Sequence, residues 1–466
     1  MTKEFIPLTF DDVPVLNALL QTDELFSCCK APTTKLLWRS FHSSYLETDG
    51  CVIVKNETDF VGTVFDFPFK KEKNADINKA LSFIEKYCAE NGIPLAFFSL
   101  TKKEVAFLSN RYSYYECMNG RSWRDYVYDG KEMASFVGKK YSGQRNHINK
   151  FLSLYKDACF TRLGNDDKPA LELFLKEWKE KELVKKDASA RDEFKNDVAF
   201  LRQADFSKYS VYGVKLGEKI IAFGFAEQVG NENIIHIEKA LHEYSGVNVY
   251  MVREAAKAFP AEYIDREDDS EEYGLRVSKM QYHPVELLDS YYMRVKTEAS
   301  LLNGIPTMRT ERLSLGAITK ADEKAYYDLC TDDKRNKYWG YDYRKDMKRP
   351  LTDDYFYTVA KEDFKNRLCV NFGVKKDGVF IGETVVYAFD YTGGCQIGVR
   401  IAKEYAGHGY GEEAFEKTIR FALYTLGVKT VFSSCYKENT PSVKMHEKLF
   451  HRIGEDDEKY YYKREY

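Results

Sequence analysis

One succession of patterns occurs three times along the chain, and it constrains the fold more than any other feature. Each time, runs rich in β-branched and aromatic residues are joined by a short polar turn, and a strand–helix–strand passage follows. The first succession has hairpin runs at 50–55 and 60–67 and a helix over 74–90, in which Ile77, Leu81, Ile84 and Cys88 recur at helical spacing. Strands over 95–100 and 122–128 complete it. In the second, helices over 168–183 and 193–203 lead into strands over 209–215, 220–228 and 234–240, a helix over 247–259 and a strand over 263–266. In the third, strands over 370–374, 379–389 and 396–401 precede a helix over 412–426, a strand over 430–435 and a helix over 442–449. Hairpins followed by strand–helix–strand units specify mixed, mostly antiparallel sheets flanked by helices, an α/β (α+β) class. Three similar successions predict three similar domains, at 1–128, 129–303 and 304–466, with Gly304-Ile305-Pro306 as the linker before the last.

Composition narrows the function. A hydrophobic fraction of 44% supports packed cores, and a net charge of -3 excludes a bulk nucleic-acid or membrane binder. Any polyanion contact must come from a local patch. No run of 18 apolar residues exists, so no transmembrane helix is expected. The opening residues carry early acids and no apolar core of signal-peptide length, which predicts a cytoplasmic protein. The 10 cysteines show no CxxC pair and no zinc spacing with the 8 histidines, so neither a metal site nor a disulfide scaffold is expected.

The most specific local signal runs from Val399 to Ala414, VRIAKEYAGHGYGEEA. A strand ends, a glycine-rich turn follows and an amphipathic helix begins. Gly407, Gly409 and Gly411 let backbone N–H groups approach a ligand, and the helix N-terminus adds unpaired N–H groups and a positive dipole end. Together these make a pyrophosphate site. The simpler reading is a turn that only starts a helix. Two further blocks accompany it: Thr310-Glu-Arg-Leu-Ser-Leu315 upstream and Asn439-Thr-Pro-Ser-Val-Lys-Met-His446 downstream. In this order the three blocks resemble the GNAT N-acetyltransferases, in particular the ribosomal-protein-alanine acetyltransferase branch, over residues 306–466. The resemblance implies acetyl-CoA as cofactor. Its pyrophosphate would sit on Ala406, Gly407, His408, Gly409, Tyr410 and Gly411, and its pantetheine arm would pair with the strand edge Val399, Arg400 and Ile401. Asn439 and Ser442 complete the implied cofactor set. The pattern departs from the family at four places. Ala406 stands where a Gln or Arg is usual. His446 stands where many relatives have a tyrosine acid, and an imidazolium is expected to protonate the leaving thiolate there. Ser434 replaces a glutamate base, which leaves Glu383 as the candidate to activate the amine through water. Phe450-His451 replaces the usual Gly-Phe.

The first two thirds of the chain show the same succession without the cradle. The turn after the strand over 234–240 contains one glycine, Gly246. Ahead of it, residues 138–151 hold Lys139, Lys140, Arg145 and Lys150 with no acid between Glu132 and Asp157. Read as a helix, this stretch puts Lys139, Asn146 and Lys150 on one stripe. It is either a phosphate patch for tRNA or an anionic lipid, or a solvated basic face. These blocks, with Tyr263-Ile-Asp-Arg-Glu-Asp-Asp269 and Gly274-Leu-Arg-Val-Ser-Lys279, resemble the phosphatidylglycerol lysyltransferase C-terminal family over residues 5–298. That resemblance implies a tandem of GNAT-like halves, and hence three GNAT-like units in the whole chain. It also implies transfer of an aminoacyl group from an aminoacyl-tRNA. His236, Glu238 and Lys239 then line the strand at the cleft, and Arg266, Arg276 and Lys279 are candidates to bind phosphate or an oxyanion. Alternatively, these charges neutralise one another inside the fold.

The expectation is therefore an acyltransferase, foremost an acetyl-CoA-dependent N-acetyltransferase acting on a small-molecule or peptide amine. The alternatives are an aminoacyl-tRNA-dependent transferase in the tandem and a non-catalytic CoA- or tRNA-binding module.

Overall fold

The computed structural model describes residues 4–20, 25–38, 41–58, 61–183, 188–345, 347 and 349–466. The chain forms two compact units. One takes residues up to 82, 96–109 and 117–294, and the other takes 83–95, 110–116 and 295–466. Three sheets carry the architecture, as the threefold succession predicts.

In the first sheet, Phe41–Thr48, Cys51–Thr58 and Gly62–Phe65 form an antiparallel meander. Residues 59 and 60, the end of the expected turn and the start of the second hairpin run, lie outside the described residues. Ala96–Leu100 then joins Gly62–Phe65 in parallel and pairs on its other side, antiparallel, with Tyr291–Val295, a strand from the far end of the second succession.

The second sheet runs Glu286–Leu288, Asp125–Asp129, Tyr263–Asp265, Glu232–Ala240, Lys219–Val229, Ser210–Leu216, Ala158–Arg162. Asp125–Asp129 thus leaves the first succession for the second sheet, and Tyr291–Val295 makes the reverse exchange. Neither move is visible in local pattern, because alternation fixes a strand's faces and not its neighbours. In this sheet Glu232–Ala240 and Tyr263–Asp265 are parallel, but they pair only at residues 232–234 and 263–265. The two strands diverge beyond that point.

The third sheet repeats the plan. Ser314–Ala317, Cys369–Lys376, Val379–Tyr387 and Gly394–Ile401 are successive antiparallel neighbours. Gly394–Ile401 then meets Thr430–Tyr436 in parallel, and they pair only at residues 394–396 and 430–432. The sheet therefore forks. Helix Tyr410–Arg420 packs Ala414, Phe415 and Ile419 into the core beneath the fork, and a π-helical turn, Phe421–Leu426, extends it to Gly427. The amphipathic period expected over 412–426 is present, with its last residues in that wider turn. Helix Thr440–Leu449 follows the other arm of the fork.

Candidate functional site

The glycine-rich turn lies beside the open fork. Gly407 and Gly409 have φ of +82° and +80°, a left-handed backbone that disfavours any side chain with a Cβ. A Cβ at Gly407 would meet nothing within 4 Å, and one at Gly409 would meet only Arg312 Nη2 at 3.4 Å. The turn is thus both glycine-dependent and open on its outer side. Gly409 is the N-cap of Tyr410–Arg420, an 11-residue helix whose first N–H groups have no acceptor within the helix. The segment 310–315 braces it. Arg312 Nε and its backbone N–H donate to Glu413 at 2.7 and 3.0 Å, and Nη1 donates to the His408 carbonyl at 3.0 Å. The Arg312 guanidinium also lies 4.7 Å from the Tyr410 ring centroid. Sequence reasoning does not single out Arg312 and Glu413 for this role, although both lie within the motifs at 310–315 and 399–414.

Val399, Arg400 and Ile401 pair on one side with Thr384, Glu383 and Gly382. On the fork side, no strand pairs with them among the described residues. Asn439 caps the helix at the other arm of the fork, and its side-chain amide takes no partner among the described residues. Val399 and Ile401 turn their side chains to the core, while Arg400 turns away from it. Arg400 donates to Glu383 at 2.9 and 2.6 Å and to Asn336 at 2.6 Å, and its guanidinium lies 4.3 Å from the Trp339 ring centroid. Burial opposes the guanidinium charge, but Glu383 outweighs it and holds Arg400 more firmly protonated than usual.

Two expected catalytic roles meet a different geometry. Glu383 is 1% exposed. Its oxygens accept from Tyr326 and Asn371, both at 3.0 Å, besides Arg400. All its capacity goes to an internal network, and no oxygen is turned to an incoming amine. His446 is 3% exposed. It packs on Phe415, Phe450 and Tyr462. Its Nδ1 lies 2.8 Å from the Ser442 carbonyl, which can only accept, so Nδ1 carries the proton. Its Nε2 lies 2.9 Å from Ser433 Oγ. Burial lowers its pKa, so the ring is neutral and no imidazolium waits for a thiolate. Ser442 is thereby engaged with the histidine through its carbonyl, and through its hydroxyl at 3.3 Å. Sequence reasoning passes over Ser433. The signal for it is its inward position in the alternation Val431, Ser433, Cys435, where a polar side chain needs a reason.

In the second sheet the corresponding turn is closed. A Cβ on Gly246 would lie 2.6 Å from the His147 carbonyl oxygen, because helix Ser142–Leu154 covers the start of helix Val247–Ala258. The fork there is filled by side chains. Arg266 reaches back to Glu238 at 3.0 and 2.5 Å and stacks on Tyr282, and His236 Nδ1 bonds Glu267 at 2.8 Å. Burial opposes protonation of His236, but Glu227 and Glu267 raise its pKa to about 9. Lys239 pairs with Asp197 at 2.8 Å. Lys279 is buried and donates to the carbonyls of Arg266, Glu267 and Asp268. Burial and Arg266 lower its pKa. Arg276 pairs with Asp269 at 2.8 Å. Thus Lys279 fixes a loop with positive φ at Glu267, Ser270 and Glu271, and presents no charge outward.

The basic stretch also divides. Lys139 lies in a 3-10 turn, Lys139–Tyr141, ahead of the helix, so it shares no helical stripe with Asn146 and Lys150. Arg145 caps the preceding helix by donating to the carbonyls of Phe136 and Gly138 at 2.5 and 2.7 Å, and Lys140 pairs with Glu132 at 2.6 Å. Lys139, Asn146 and Lys150 are exposed, and neither lysine has a carboxylate partner among the described residues.

Comparison with known proteins places this architecture. Residues 27–294 match the family model of the phosphatidylglycerol lysyltransferase C-terminal domain. The chain belongs to that family. In this lysyltransferase C-terminal family member, residues 312–449 further match the acetyltransferase (GNAT) domain. An uncharacterized protein of Mycoplasmoides gallisepticum is 22% identical over 203 residues, 42% of this chain and 63% of that relative. The chain thus spans less than two thirds of the length of this curated relative. A conserved protein of unknown function from Bacteroides thetaiotaomicron superposes with a TM-score of 0.58 at 21% identity, over 63% of this chain and 100% of that one. That likeness shows a shared fold. A GNAT-family acetyltransferase from Bacillus anthracis is 21% identical over 34% of this chain and 98% of its own, with a TM-score of 0.30. Among the described residues, no helix is long and apolar enough to cross a membrane and no side-chain group suits a metal ion.

Proposed function

We propose that residues 304–466 are an acetyl-CoA-dependent N-acetyltransferase domain acting on a small-molecule or peptide amine. The carrying observation is the open turn at 406–411, placed beside an unpaired strand edge and a helix N-terminus. The backbone N–H groups of Gly407 to Gly411 would hold the pyrophosphate of acetyl-CoA, the free edge of Val399–Ile401 would hold its pantetheine arm, and Asn439 would offer a side-chain amide from the opposite arm. The cofactor brings the activated acyl group. The chain's part is to orient that group at the fork. Calorimetric titration with CoA and acetyl-CoA tests the cradle, and acetyl transfer to a panel of spermidine, aminoglycosides and peptide N-termini tests the reaction. Among similar solved structures is a spermidine N-acetyltransferase from Vibrio cholerae with CoA and spermine, which motivates including a polyamine. No binding of either cofactor would sink the reading.

A second reading concerns residues 1–303, the tandem of halves 1–128 and 129–303. Family membership supports an aminoacyl-tRNA-dependent transfer there, with tRNA or an anionic lipid held by Lys139 and Lys150. The closed turn at Gly246 argues against CoA in the tandem, which leaves a different ligand there, or none. Filter binding of aminoacyl-tRNA at several salt concentrations tests it. If neither region transfers a group while CoA still binds, the chain is a binding module.

A further inference from the structure

The acetyltransferase reading, on which this inference rests, lacks a base: Ser434 stands at the family's glutamate position and Glu383 is locked onto Arg400. Ser433 occupies a telling place. It is the first residue of Thr430–Tyr436 beyond the last parallel pair, so it stands in the throat of the fork. Its Oγ lies 3.2 Å from the Ile397 carbonyl on the opposite arm and 2.9 Å from His446 Nε2. Ser442's carbonyl fixes the proton on His446 Nδ1, which leaves Nε2 as an acceptor; the single proton of the Ser433 hydroxyl is shared between Nε2, the nearer acceptor, and the Ile397 carbonyl. This is a hydroxyl–imidazole pair with a third group orienting the ring, the arrangement that lets a hydroxyl lose its proton at neutral pH.

We propose that Ser433 and His446 form the proton relay of the acetyl transfer. The free amine attacks the thioester carbon and forms the C–N bond. Its surplus N–H proton goes to Ser433 Oγ as the serine's own proton passes to His446 Nε2. The tetrahedral adduct then collapses and the C–S bond breaks. The thiolate leaves with the bonding electron pair and receives the proton back through Ser433, which returns His446 to its neutral form. No oxidant or further co-reactant is needed. The environment suits the return of the proton. Phe415 and Phe450 are apolar, and Tyr462, whose pKa burial and Cys435 push up to about 12, stays neutral. The imidazolium therefore has no carboxylate to trap it among its ring neighbours, and it gives its proton up readily.

The test compares the full chain with Ser433→Ala and Ser433→Thr, using methylamine and hydroxylamine as acceptors small enough to need no dedicated pocket. The alkylamine adduct holds its proton tightly and needs the relay. The hydroxylamine adduct is more acidic and loses its proton to water. Ser433→Ala should lower transfer to methylamine by about 100-fold or more, and to hydroxylamine by less than about fivefold, with CoA affinity unchanged. Ser433→Thr should recover some of the methylamine rate. Nitrogen-15 NMR of His446 gives a reading independent of turnover: a neutral ring protonated at Nδ1 at pH 7. Equal loss on both amines, no loss on either, or an Nε2-protonated or charged ring overturns the relay while leaving the cofactor site standing. A parent chain that binds no CoA overturns the acetyltransferase reading itself, and the relay with it.

Discussion

Glu232 sets a pH dependence that can be worked out from the structure. It is 2% exposed. One carboxyl oxygen accepts from the Phe26 N–H at 3.3 Å and the other, Oε2, has no partner among the described residues. Burial, with Asp125 and Glu286 nearby, raises its pKa from 4.5 to about 8. The folded pKa lies above the unfolded one, so the folded state carries an extra proton between those values and stability falls as pH rises through that window. Each pH unit above 4.5 costs about 1.4 kcal/mol until the folded group itself ionises. Holding the proton therefore costs about 3 kcal/mol at pH 7 and less than about 1 kcal/mol at pH 5. Glu232→Gln keeps the acceptor for Phe26 and is neutral at every pH. Its stability relative to the parent should therefore rise by about 2–3 kcal/mol between pH 5 and 7. Asp125 and Asp265 are also pushed up by burial, so the variant's own stability still declines with pH, and only the difference isolates Glu232. Urea denaturation of the full chains at half-unit pH steps, followed by circular dichroism, measures it. Parallel curves for parent and variant would refute a protonated Glu232.

Gly409→Asp should weaken CoA binding more than tenfold, about 1.4 kcal/mol, and Gly409→Ala, which carries the same backbone strain without the charge, should lose less; equal losses in a calorimeter point away from an anion at this turn. Replacing Lys139 and Lys150 with Ala should reduce the salt slope of tRNA or anionic-vesicle binding, whereas Arg145→Ala should lower stability instead, since Arg145 caps a helix. His236, with its pKa raised to about 9, stabilises the fold fully below its ordinary value near 6.5, and that contribution disappears as pH rises through 9. His236→Gln should thus cost most near pH 6 and little above pH 10, and a cost independent of pH would contradict the charged state.

Hydrophobic period and turn chemistry make most of the third sheet legible, because each strand there pairs with its neighbour in sequence until the fork. They cannot reveal the exchange of Asp125–Asp129 and Tyr291–Val295, since partner choice is set by long-range packing. The turn at 406–411 is legible because glycine is the residue that a left-handed backbone requires. The catalytic assignments are less so. A carboxylate or imidazole in a motif has the same one-letter code whether it faces substrate or, like Glu383 and His446, is enclosed by partners.

The two forks show why the glycine count is the better guide. In each of these sheets a pair of parallel strands diverges after three paired residues, and a helix follows the first strand of the pair. In the second sheet the throat is crossed by Arg266 to Glu238, and the helix start is covered by His147. A backbone carbonyl already occupies the side of Gly246 that a Cβ would need, so this glycine serves packing within the protein. In the third sheet Gly407 has a left-handed φ and nothing within 4 Å of its missing Cβ. Packing cannot explain that glycine. A turn that requires glycine for its backbone and leaves the vacated space open fits close approach by a ligand, which is why the acyl-CoA assignment rests on the third fork and not on the second.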